Sequence, residues 1–278
     1  MKEKSLITLK IRKRHIVILI VFLVAGLIAY SIYFREFMTL PQSAINVIPE
    51  STFDLKDKKV MVFSPHCDDE TLGTFGVIDR TLASGGDVKV VMITDCNHRF
   101  NGNVRRGETA SALAIAGLDK SKIDFLNFYE GRDVRSSADT VRLENIISQE
   151  LDSFKPDLVF APNVADTHLD HRFVATGVKK VLKERGESSK AIYYLIHYNF
   201  LKFPSPPGLK PNAYLTPPVR LINPSVRWYK FSLTDTEESL KEEAVFKYKT
   251  QLKITNPVLS RVLLDFVREN ELFMTDND

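Results

Sequence analysis

Residues 58–73 read KKVMVFSPHCDDETLG, and the rest of the chain is organised around them. The apolar run Val60–Phe63 has the composition of a short strand and ends in His66, Asp68, Asp69 and Glu70. A helix-like segment then runs from Asp69 to Ala83, closed by Gly85-Gly86. A buried strand that stops in a polar cluster delivers that cluster to the carboxyl edge of a sheet, where open α/β folds keep their sites.

Outward from this stretch, strand and helix patterns alternate. Val88–Thr94, Ile123–Phe128, Leu158–Ala161 and Ala191–His197 read as strands. Val104–Ala116, Ala138–Phe154 and Asp170–Glu184 read as the helices between them. Most of the strands are continuous Val/Ile/Leu/Phe runs, as strands covered on both faces should be. The alternation predicts an α/β fold with a doubly wound, mostly parallel sheet. After residue 201 the prolines at 204, 206, 207, 211, 217 and 218 predict loops over the top of the sheet. Helices are expected again at Asp235–Leu252 and Pro257–Phe273.

Before the first strand lies a different kind of sequence. Ile16–Phe34 is nineteen residues without a charge, long enough to span a bilayer and longer than the apolar core of a cleaved signal peptide. Lys10, Arg12, Lys13 and Arg14 precede it and should stay cytoplasmic. The expectation is a signal anchor with the body outside the cytoplasm. Residues 35–55, with Pro41, Pro49 and several small polar residues, read as a tether. The formal charge is +3, but residues 1–34 alone carry six Lys/Arg against one acid, which leaves the body at −2. The basic balance therefore comes from a short tail and does not indicate a nucleic-acid-binding body. The two cysteines, Cys67 and Cys96, form no disulfide framework; both follow expected strands, so a bond between them is an alternative outside the cytoplasm, but inert small side chains are the expected reading.

Two constellations carry chemistry. In His66-x-Asp68-Asp69-Glu70, imidazole and carboxylate are donors that suit zinc. His66 just before a helix and Asp69 in its first turn can converge on one point. Asp68, left free beside them, is placed to act as a base. An N-capping Asp with a capping Glu accounts for only part of this cluster. The second constellation is Asp166-Thr167-His168-Leu169-Asp170-His171-Arg172, after the fourth strand. His168 and His171 share a face at i, i+3, so either can complete a metal site while the other meets substrate. Asp170 is placed to cap the helix or to orient a histidine. Asn97, His98 and Gly102, after the second strand, are expected at the pocket rim.

These motifs resemble those of the PIG-L/LmbE-like zinc-dependent de-N-acetylases. Residues 65–73 resemble that family's HPDDE motif, and residues 166–172 its HPDH segment. Arg105-x-x-Glu108 resembles its R-x-x-E helix, with a weaker echo at residues 248–251. Cys67 and Leu169 stand where the family usually has Pro, and neither position supplies a ligand. The resemblance implies a Rossmann-like fold and Zn²⁺ held by His66, Asp69 and His171. It implies Asp68 as general base toward a metal-activated water. It implies His168 as the group that stabilises the oxyanion and can protonate the leaving amine, and Arg105 as a substrate contact. The implied substrate is an N-acetylglucosamine-type sugar or glycoconjugate, at or near the membrane.

The expected organisation is a basic cytoplasmic tail at 1–15, a transmembrane helix at 16–34, a linker at 35–55 and a deacetylase domain at 56–278. Two rival readings remain. A metal-dependent phosphoesterase also uses paired Asp after a strand, with Mg²⁺, although two histidines favour zinc. A non-enzymatic glycan-binding envelope protein would have no use for Asp68.

Overall fold

The computed structural model describes residues 12–97, 101–131, 135–198, 203–204, 213–252 and 263–276. Seven strands form one sheet: β1 (Lys59–Ser64), β2 (Asp87–Thr94), β3 (Ile123–Phe128), β4 (Leu158–Pro162), β5 (Ala191–Tyr194), β6 (Val226–Ser232) and β7 (Asn270–Asp276). Their order is β3-β2-β1-β4-β5-β7-β6. The first five are parallel, and β7 runs antiparallel to both β5 and β6.

The central strands form because their residues are apolar on both faces. Val60, Met61, Val62 and Phe63 of β1 and Val90, Val91, Met92 and Ile93 of β2 are fully buried. The helices that cover them are α2 (Asp69–Ala83), α3 (Gly102–Leu113), α4 (Ser137–Phe154), α5 (Leu169–Glu184) and α6 (Asp235–Val245), with a single turn α7 (Lys249–Leu252). From β1 the chain winds through α2 and α3 to the β3 edge, then returns to β4 and winds through α5 the other way. Right-handed crossovers put helices wound in opposite senses on opposite faces. Accordingly α2, α3 and α6 pack together, and α4 packs with α5. The winding reverses between β1 and β4, so a crevice opens there at their carboxyl ends.

Gly73 sets how closely α2 approaches the sheet. A Cβ at this position would stand 2.7 Å from the Tyr194 ring, closer than carbon atoms pack. The helix ends obey ordinary capping rules. Ser136 with Asp139 caps α4, and Thr234 with Glu237 caps α6, each as a reciprocal box.

Ahead of the domain, α1 (Lys13–Phe37) has a mean hydropathy of 2.7 in its most apolar window and buries none of its residues. It is long and apolar enough to cross a membrane. The segment after it is knitted to the domain. Leu40 N–H donates to Pro217 O (2.8 Å), Val219 N–H to Met38 O (2.9 Å) and Ser51 N–H to Lys230 O (2.7 Å). Ile45, Ile48 and Leu55 are buried.

The carboxyl-terminal third departs from expectation. The helix expected over Pro257–Phe273 ends early: residues 263–264 are helical, but residues 270–273 already belong to β7, whose Leu272, Phe273 and Met274 are all buried between β5 and β6; residues 257–262 lie outside the described residues. Strand β6 was not expected at all, because only Trp228 and Phe231 are buried. The helix expected over Asp235–Leu252 breaks after Val245, where buried Tyr248 turns inward. The cysteines also depart from expectation. Ser64 of β1 is in register with Met92 of β2, so the chain just beyond each strand converges. Cys67 and Cys96 meet there as a disulfide, with Cα atoms 5.6 Å apart.

Candidate metal and catalytic site

At the β1–β4 crevice the two motifs come together. The sharp turn after β1 sends His66 back over the sheet edge, and Asp69 Oδ2 accepts the His66 backbone N–H at 2.9 Å. Asp68 occupies the N-cap position of α2, yet its side chain caps nothing. The capping reading therefore leaves it unexplained. Glu70 turns inward, accepting from Ser64 Oγ (2.9 Å) and Tyr248 O–H (2.7 Å). Burial, resisted by these donors, pushes Glu70 up to about 7.

Three ligand-type atoms from the two motifs share one point. His66 Nδ1 lies 3.2 Å from Asp69 Oδ2, His171 Nε2 lies 3.0 Å from the same oxygen, and the two nitrogens are 3.1 Å apart. Atoms bound at about 2.0–2.1 Å to a tetrahedral zinc stand about 3.3–3.4 Å from one another, so the spacing fits.

The chemistry of the donors fits as well. The far nitrogen of His66, Nε2, is 3.1 Å from Asp170 Oδ2. The far nitrogen of His171, Nδ1, makes a close but not well-aligned approach to Asp166 Oδ2 at 3.0 Å. A carboxylate behind an imidazole keeps the proton on the far nitrogen and turns the near lone pair outward. Two lone pairs and a carboxylate oxygen then face each other, an arrangement that calls for a cation. The electrostatics agree. Burial would lower His66, but Asp170 and Asp69 outweigh it and hold the imidazole up to about 9. Against its own burial, Asp69 is held well below the usual carboxylate range by His171 and His66.

The flanking groups are equally placed by local structure. His168 is the N-cap of α5, its Nδ1 accepting the Asp170 N–H at 3.2 Å. Its ring lies edge-on to His66, centroids 4.5 Å apart. Burial, then His66 and His171, push it down to about 4. Asp68 is pushed up to about 8, by burial first and then by Asp69, with Arg105 pulling the other way. Arg105 on α3 is 3% exposed; its Nη2 lies 3.7 Å from Asp68 Oδ2, and its Nη1 donates to Glu130 at 2.8 and 2.9 Å. It also reaches the carbonyls of Cys67 and Cys96, each at 3.4 Å. Asp170 accepts from the Gly131 N–H (2.8 Å) and from Arg135.

Residues 61–182 match the family model of PIG-L, GlcNAc-PI de-N-acetylase. That stretch is similar to the PIG-L family. Solved structures share the fold. The zinc-inhibited form of teicoplanin deacetylase Orf2 is 16% identical, covering 79% of this chain and 99% of that one, with a TM-score of 0.57. The A40926 pseudoaglycone deacetylase Dbv21 is 19% identical, covering 80% and 98%, with a TM-score of 0.58. The N,N'-diacetylchitobiose deacetylase from Pyrococcus horikoshii is 19% identical, covering 88% and 90%, with a TM-score of 0.53.

All seven site residues expected from sequence fall inside the matched stretch, and the structure gathers them around one crevice. Of the expected rim residues, Asn97 and Gly102 hydrogen-bond to each other (3.1 Å), and His98 lies outside the described residues. Four participants escaped the sequence reading. Asp166 lay inside a quoted motif without a role. Glu130 and Arg135 sit in the loop between β3 and α4, where nothing local marks them. His197 follows β5, beyond the matched stretch; its ring stands 4.7 Å from that of His171.

Proposed function

We propose that this chain is a zinc-dependent N-deacetylase that removes the acetyl group from an N-acetylglucosamine-type sugar or glycoconjugate. The observation that carries the reading is the convergence of His66, Asp69 and His171, with an uncommitted carboxylate, Asp68, beside them. The family match and the deacetylases among the fold neighbours support it.

His66, Asp69 and His171 would hold the ion. When bound, zinc supplies Lewis acidity toward a carbonyl oxygen and lowers the pKa of a water to about 7. Positive charge gathered there favours the ionised form of Asp68. Asp68 takes the proton of the attacking water and returns it to the departing amine nitrogen, so one carboxyl group serves as base and then acid. His168 has a narrower part. Its Nδ1 lone pair is engaged by the Asp170 N–H, so the neutral ring carries its proton on Nε2 and donates from there to the developing oxyanion. Arg105, buried between Glu130 and Asp68, orients the carboxylate and contributes a substrate contact only through its remaining N–H groups.

The membrane assignment belongs to the same proposal. Helix α1 spans the bilayer with its basic flank in the cytoplasm, and residues 56–278 stand outside. The disulfide supports this side, because such bonds persist in oxidising compartments.

The test uses the full chain in detergent. Supplied with Zn²⁺, it should release acetate from an N-acetylhexosamine compound and stop when a chelator is added. Asp68→Asn should lower kcat by about 10²–10⁴-fold, the range for a lost general base, with metal content unchanged. Acetate release indifferent to both chelation and Asp68→Asn would sink the proposal.

A further inference from the structure

The metal-facing set does not end at three residues. A ring nitrogen of His197 and the ligand atoms of His66, Asp69 and His171 all lie within 4.8 Å of one another. We propose that His197 would be a further protein ligand beside His66, Asp69 and His171, the most weakly held of the four, without taking the position a water needs. This rests on the metal reading of the site given above.

Three observations carry it. The first is placement. The His197 N–H is fixed by Asp166 Oδ2 at 2.9 Å, and its carbonyl accepts the Thr167 N–H at 2.8 Å. The same Asp166 oxygen faces His171 Nδ1. One carboxylate therefore registers the segment after β5 against the ligand-bearing start of α5, and His197 is held in the site by its backbone.

The second is the contrast with His168. Both rings flank the triad, with centroids 5.2 Å apart. His168 uses Nδ1 as a helix cap, which leaves its other nitrogen protonated and unable to ligate. Among the described residues nothing engages a ring nitrogen of His197 in that way, so it keeps a lone pair for a cation.

The third is the difference between its hold and that of its neighbours. His66 and His171 each have a carboxylate behind the far nitrogen, and their near atoms sit 3.0–3.2 Å from Asp69 and from each other. Among the described residues no carboxylate hydrogen-bonds the His197 ring. The ring is half-buried, whereas the other three are buried. A ligand without an orienting partner is the weakest of its set. His197 would thus be the least firmly held of the four ligands.

The experiment is a Co²⁺ titration of the metal-stripped full chain in detergent, read by visible absorption and by competition with a chromophoric chelator. The wild type should bind Co²⁺ and give a visible spectrum characteristic of its ligand set. His197→Ala should lower Co²⁺ affinity by at least about tenfold, the lower bound for losing even an outer-shell partner. It should also change that spectrum. His197→Gln serves in its place if circular dichroism shows the alanine variant unfolded. A folded variant with wild-type affinity and spectrum overturns the fourth-ligand role and leaves His197 as a substrate contact. If the wild type itself takes up no Co²⁺, the metal reading falls, and this inference with it.

Discussion

Asp166 ties several parts of the crevice together. It is buried, accepts N–H groups from His168 (2.9 Å), Ile196 (3.2 Å) and His197 (2.9 Å), and faces His171. Burial raises its pKa, but His171 first and then His197 hold it below the ordinary carboxylate value. Asp166→Ala should therefore act twice. Each buried N–H left without a partner costs about 1–3 kcal/mol, read as a lower urea midpoint. Loss of the carboxylate behind a ligand costs about 10–100-fold in metal affinity. Asp166→Asn, which keeps an acceptor oxygen, should recover much of the stability and little of the affinity. The sequence displayed Asp166 two residues before His168 but not its work, because two of its four partners, Ile196 and His197, become neighbours only when α5 and the end of β5 are brought together. His197 was hidden for the same reason. A single histidine after a strand has no spacing to read, whereas His66 with Asp69 and His168 with His171 announce themselves by local periodicity.

At the scale of elements, α2 is the component most tightly specified. Gly73→Ala would drive a methyl group into Tyr194, and overpacking of this kind costs about 1–3 kcal/mol. A urea titration showing no loss would mean that Tyr194 can withdraw. The turn preceding α2 is tied to the end of β2 by the disulfide, with 29 residues separating the cysteines. A loop of that size corresponds to about 3–4 kcal/mol in the chain-entropy picture. The double variant Cys67→Ser/Cys96→Ser should lose up to this amount in equilibrium unfolding without reductant, and a loss near zero would show that the crosslink is incidental. The five parallel strands were legible because most are apolar runs bounded by turn residues, interrupted only by Lys89 in β2 and by Asp124 and Asn127 in β3. Strands β6 and β7 were not, for different reasons. Val226–Ser232 shows no clean alternation: its two buried residues, Trp228 and Phe231, are three apart and lie on opposite faces, and the other positions are partly or fully exposed. Leu272–Met274 is apolar in a row, which a helix and a buried strand share, and its pairing with β5 lies far away in sequence.

At the scale of the molecule, the crevice sits where the winding of the sheet reverses, and its two halves arrive from opposite directions of that winding. A prolonged acid or heat treatment that separates β1 from β4 would scatter the donors together, so metal should protect the whole domain and not one loop. Bound ligand stabilises by mass action, by about 2.7 kcal/mol at a hundredfold excess over Kd. Melting of the full chain with and without Zn²⁺ should show one transition shifted upward. Two separated transitions, only one of them metal-sensitive, would contradict the single-body reading.

The stitching of residues 38–51 to the domain bears on how substrate is found. A slack leash lets a catalytic head sample a hemisphere of solution. A head hydrogen-bonded to its own stalk at Pro217, Val219 and Lys230, with Arg220 paired to Glu36 at 2.7 Å, has no such swing. With α1 in a bilayer, the crevice is carried at one height and one attitude, and encounter becomes a lateral search in the plane of the membrane. Inserting a flexible Gly/Ser segment between Phe37 and Met38 should then slow turnover of a substrate presented on vesicles while leaving a freely diffusing one untouched; equal rates on both would show that the fixed attitude has no bearing on encounter. The protein would owe its selectivity as much to altitude as to the shape of its pocket.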